Sequence, residues 1–153
     1  MKTLLACCLL WLFPGVTHAA TADIDTLRAL HARVIQAHLE RNPNLIVRDE
    51  TADYLVANRG VITRPSLQDR RDRFTAYFAS TRFASYVDLV EPVVEVSADG
   101  TLGWVVVQVE AKGVQTGDDG KEASVAFVSA WIELYQKRDG RWFRTGNVSN
   151  FKP

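Results

Sequence analysis

The chain has 153 residues, 47% of them hydrophobic and 24% charged, with 18 basic and 18 acidic side chains. That length suits one domain with an ordinary core. Basic residues alternate with acids, as in Asp69-Arg70-Arg71-Asp72-Arg73, which excludes the one-signed patch a nucleic-acid partner requires.

The start of the chain reads as an export leader. Lys2 precedes an apolar run from Leu4 to Phe13, followed by Pro14, Gly15 and the small-residue stretch Thr17-His18-Ala19-Ala20-Thr21-Ala22. The run is shorter than the roughly 20 residues that span a bilayer. A secreted, periplasmic protein with no membrane association after processing is therefore expected. Cleavage fits after Ala19 or after Ala22; residues 1–22 are taken as the signal peptide and 23–153 as a single domain. Cys7, Cys8 and His18 leave with the leader. Without cysteine the mature chain has no disulfide framework, thiolate metal site or cysteine nucleophile.

Ile24, Leu27, Leu30, Val34 and Ile35 recur at helical spacing and predict a helix from about Asp23 to Arg41, stopped by Asn42-Pro43. A short helix from Asn44 to about Asp49 follows. Tyr54-Leu55-Val56-Ala57 and Val61-Ile62-Thr63 then flank Asn58-Arg59-Gly60 as a small hairpin. Ser66, with Asp69 three residues on, opens a third helix whose stripe is Leu67, Arg70, Phe74, Tyr77 and Phe78, ending near Ser80. Four β-rich runs complete the chain: Tyr86 to Val96, Leu102 to Val114, Glu122 to Lys137 and Arg141 to Phe151. The Asp-Gly turns at 99–100, 119–120 and 139–140 join them as an antiparallel meander. Helices first and strands afterwards predict an α+β domain.

Alternate strand residues face opposite sides. Val105, Val107, Val109 and Ala111 form one uncharged face, expected under the helices. In the next strand the apolar face Ala126, Val128, Ala130, Ile132 and Leu134 is expected to join them. The mixed face Phe127, Ser129, Trp131, Glu133 and Tyr135, with Trp104, is then expected outside as a subunit interface.

Three stretches carry a resemblance: Ser129 to Ser149 ("SAWIELYQKRDGRWFRTGNVS"), Glu95 to Ala111 ("EVSADGTLGWVVVQVEA") and Ala52 to Gly60 ("ADYLVANRG"). With this element order the chain resembles the nuclear transport factor 2-like superfamily, which includes ketosteroid isomerases, scytalone dehydratase and SnoaL-like cyclases. The resemblance implies a cone: a strongly curved antiparallel sheet packed on N-terminal helices, with an apolar cavity at one end. It also implies a homodimer through the outer sheet face. In the isomerases the catalytic base is an Asp just after the strand that here reads Leu55-Val56-Ala57; Asn58 and Arg59 stand there instead.

The candidate chemistry is carried by two imidazoles. On a wheel of about 100° per residue, His38 lies about 20° from His31, in the middle of the apolar stripe. Both face inward and are the candidate catalytic groups, as general base or ligand-orienting groups, with Asp49 or Asp53 holding the tautomer. The other reading makes both imidazoles core residues bonded to a backbone carbonyl or a Tyr hydroxyl. Seven residues are about 10.5 Å along a helix, too far for one metal ion, so no metal and no cofactor are expected. Tyr54, Asp49, Asp53 and Trp131 are the candidate ligand-binding residues. The leading functional reading is binding of a small, mostly apolar organic molecule. Two alternatives are a cofactor-independent acid/base isomerase, dehydratase or cyclase, and a non-catalytic protein-partner module whose interior is filled.

Overall fold

The computed structural model describes residues 16–151, so most of the leader expected at 1–22 lies outside the described residues. The first helix, α1, spans Val16–Glu40. It starts earlier than expected because the alanines before Asp23 are strong helix formers. Arg41 takes a positive φ of 55°, which ends the helix. Asn42 then caps α2 (Pro43–Val47), its Oδ1 accepting from the Leu45 amide at 3.2 Å.

Strands β1 (Glu50–Asn58) and β2 (Val61–Thr63) form the expected hairpin. Arg59 and Gly60, both at positive φ, make a tight turn whose twist matches the strands. Ser66 closes a full capping box with Asp69 at the start of α3 (Leu67–Ser80). Arg41 reaches across to the carbonyl of Phe78, tying the end of α1 to the end of α3.

The chain leaves α3 directly into β3 (Thr81–Asp88), followed by β4 (Val93–Val96), β5 (Leu102–Thr116), β6 (Glu122–Arg138) and β7 (Arg141–Phe151). The single run expected from Tyr86 to Val96 is two strands, interrupted before Pro92, which has no amide proton for a ladder. Both halves pair with β5, at different points along it.

The seven strands form one curved, unclosed sheet in the order β2-β1-β7-β6-β5-β3, with β4 beside β5. It is mixed rather than wholly antiparallel, since β1 runs parallel to β7 from Glu50 opposite Arg144 to Asn58 opposite Ser149. A parallel pair needs a long crossover, and here everything between β1 and β7 supplies it. At this seam Gly146 lets the strands approach: an added Cβ would lie 2.6 Å from the Leu55 carbonyl oxygen. Gly146→Ala is therefore expected to lower stability by about 1–3 kcal/mol, read as a lower urea midpoint; an unchanged midpoint would contradict so tight a seam.

The core has two parts. Leu27 and Leu30 of α1 pack on Tyr86, Val105, Val107 and Trp142 of the sheet, while Val34, Ala37, Ile46, Val47 and Phe78 join the three helices. The face expectation holds for β5 and is reversed for β6. Val105 pairs with Glu133 and Val107 with Trp131, so these share a face. Glu133 and Tyr135 are buried under the helices, whereas Val128 of the apolar face is 40% exposed. The mixed face turns inward because the interior is built to hold charges.

Candidate active site: a cationic cavity backed by a buried charge chain

Six charged side chains, each from a different element, run in alternating sign from Asp88 at the surface into the interior. Asp88 (β3) meets Nε2 of His31 (α1) at 3.0 Å, and Nδ1 of His31 meets Glu133 (β6) at 3.1 Å. Glu133 lies 3.8 Å from Arg144 (β7), which donates to Glu50 (β1) at 2.7 Å. Glu50 also receives two bonds from Arg70 (α3), at 2.5 and 3.0 Å. With an imidazolium at His31, three cations balance three anions. Such pairing is what allows charges to stay buried.

Glu133, fully buried, is the hub. It accepts from Trp131 Nε1 at 2.9 Å and from the Tyr135 hydroxyl at 2.6 Å besides His31. Burial by itself would raise its pKa; the His31 bond and the Arg144 charge outweigh that and hold it down to about 2. For His31, burial pulls the pKa down, but the bonds and charges of Glu133 and Asp88 win and raise it above its ordinary value. Both ring nitrogens of His31 then donate, one to each carboxylate.

A cavity of about 280 Å³ opens beside this chain, walled by α1, α3 and the inner sheet face. Aromatic rings dominate: Tyr54, Phe74, Tyr77, Tyr86, Phe127 and Trp131. His38 is in the wall, stacked on Tyr86 with ring centroids 4.2 Å apart. Its Nδ1 donates to the Val34 carbonyl at 2.7 Å, which leaves Nε2 as the lone-pair nitrogen. Burial lowers its pKa to about 4, so His38 is a neutral acceptor at neutral pH. Asn58 also lines the cavity, and its Oδ1 is buried without a hydrogen-bond partner among the described residues.

The residues singled out in the sequence separate. His38, Tyr54 and Trp131 meet at the cavity. Tyr54 is buried, its hydroxyl donates to Asn147 Oδ1 at 3.4 Å, and burial pushes its pKa up to about 12. His31 is outside the wall, reached through Glu133, and its carboxylate partners are Glu133 and Asp88 rather than Asp49 or Asp53. Asp49 instead binds Arg33 and Arg141, at 2.5 and 3.0 Å. Asp53 is exposed and pairs with Arg138 at 3.3 Å. Neither aspartate lines the cavity. Trp131 is an inner-face residue and so does not belong to an outer interface. Sequence reasoning did not single out Glu133, Arg144 or Asn147 as site residues. Arg70 carried a legible signal, a cation inside the apolar stripe of α3.

No protein-family model matches the chain, and no curated relative matches it. Solved structures do. A scytalone dehydratase-like protein of Novosphingobium aromaticivorans superposes with a TM-score of 0.73 at 12% identity, covering 90% of this chain and 89% of that one. A nuclear transport factor 2-like protein of Salmonella enterica gives 0.70 at 10% identity over 87% and 93%. A ketosteroid isomerase-like protein of Erwinia carotovora gives 0.66 at 14% identity over 86% and 98%. The chain has the α+β nuclear transport factor 2-like fold, which some enzymes share. At these identities the likeness concerns fold, and fold by itself does not carry chemistry.

Proposed function

We propose that this protein binds one small, largely aromatic organic molecule in the cavity between α1, α3 and the sheet. One observation carries the reading: an aromatic-walled space of about 280 Å³ with His38, Tyr54 and Asn58 among its polar groups. Small-molecule sites have this make-up, a mostly apolar wall with a few fixed polar groups, and the volume lies just below their usual range, which suits a small ligand. Binding is favoured over acid/base catalysis because no carboxylate lines the cavity, and His38, with a pKa near 4, is a weak base. Native mass spectrometry with a set of one- and two-ring aromatic compounds tests it. One adduct per chain is expected; a set that yields none overturns it.

We further propose that two copies pair through the outer sheet face. The mixed aromatic face does not serve, being turned inward, but the opposite face is apolar: Val93, Trp104, Val106, Val128 and Val148 are 36–55% exposed. Scattered exposed valines are ordinary, whereas a contiguous set on paired strands fits an interface. Val106→Lys is expected to convert a dimer to a monomer in sedimentation; a monomeric wild type removes the pairing. Export with removal of residues 1–22 completes the proposal, and N-terminal sequencing of the periplasmic fraction tests it.

A further inference from the structure

We infer that the molecule taken up by this cavity is an aromatic carboxylate carrying a single negative charge. The inference rests on the binding reading above and names the class of its ligand. The charged residues lining the cavity are Arg70, Arg73 and Arg144, with no aspartate or glutamate among the lining residues. Arg70 and Arg144 already hold Glu50, which stands outside the wall, and they belong to the chain in which three cations balance three anions. They orient and polarise, but they bring no excess charge.

Arg73 differs. It is exposed on α3, one turn beyond Arg70 and next to the wall residue Phe74, and no ion pair is formed with it among the described residues. The nearby acids of the same helix are engaged elsewhere: Asp69 caps Ser66, and Asp72 accepts from Gln68 at 2.8 Å. A guanidinium with no carboxylate in contact therefore stands at an aromatic cavity, and its planar fork matches a carboxylate brought by a ligand. His38 and Asn58 also line the cavity, and Nε2 of the one and Oδ1 of the other are acceptors, suited to a hydroxyl on the ligand's ring.

The test compares 2-naphthoate with its neutral isostere 2-naphthamide by calorimetry at low salt, against wild type and Arg73→Gln. Arg73 is exposed, so folding is expected to be untouched, which urea unfolding verifies. Wild type is expected to prefer the carboxylate by about tenfold, and Arg73→Gln to lose most of that preference. Equal binding of acid and amide by wild type overturns the anion assignment while leaving the cavity a binding site. A preference unchanged in Arg73→Gln overturns the role of Arg73, and with it the argument from charge. If neither compound binds, the assignment and the binding reading fail together.

Discussion

Replacing Glu133 with alanine is expected to cost about 3–5 kcal/mol of stability, the usual range when one member of a buried ion pair is removed. The loss is large because the carboxylate serves four partners. Without it the His31 imidazolium keeps only Asp88, Arg144 keeps Glu50, and the Trp131 indole and Tyr135 hydroxyl have no acceptor. Glu133→Gln retains an acceptor oxygen and is expected to lose less. Urea unfolding at pH 6 measures both, and a loss below about 1 kcal/mol for the alanine variant would mean that the chain of charges is not coupled. The choice of pH matters. Glu133 has a depressed pKa, so its contribution is present above 4.5 and is lost as pH falls toward about 2. His31 has a raised pKa, so its contribution is complete below 6.5 and is lost as pH rises through the folded-state value. Between pH 4.5 and 6.5 both are present.

His38 works in the opposite direction and gives the second large effect. It is buried neutral, with a pKa lowered from 6.5 to about 4. Below pH 6.5 the unfolded chain takes up a proton there that the folded chain refuses, so stability falls as pH drops from 6.5 to 4. From pH 8 to pH 5 this costs about 2 kcal/mol, given a shift of this size. His38→Phe keeps a ring against Tyr86, Phe74 and Phe78 but cannot protonate. It also loses the bond to Val34, a cost that does not vary with pH, so the difference between the two pH values is the readout. Wild type is expected to lose about 2 kcal/mol more than His38→Phe between pH 8 and pH 5. Parallel curves for the two proteins would show that His38 is not held neutral.

The two imidazoles mark how far the sequence could be read. Their inward direction follows from helical spacing, and both are buried. Their different fates do not follow, because the groups that decide them are remote in sequence: Glu133 is 102 positions from His31, and Asp88 is 57. Local features with local causes were legible, among them the Ser66 cap, the Arg59-Gly60 turn and the stop at Asn42-Pro43. The inward face of β6 was misread for a physical reason. Hydrophobicity favours Val128, Ile132 and Leu134 inside, but cross-strand register with β5 puts Glu133 beside the buried Val105. The parallel seam between β1 and β7 was hidden likewise, since strand pattern does not record which distant strand lies alongside.

Whether the cavity is a binding site is decided most directly by titrating 2-naphthoate and 2-naphthol into wild type and Ser129→Phe in a calorimeter. Ser129 lines the cavity from β6, and a phenyl ring there occupies the space a ligand needs. Wild type is expected to saturate with at least one of the two at one molecule per chain, and Ser129→Phe to lose that heat while still unfolding cooperatively. Undiminished binding by the filled variant, or none by wild type, would contradict a ligand site between α1, α3 and the sheet.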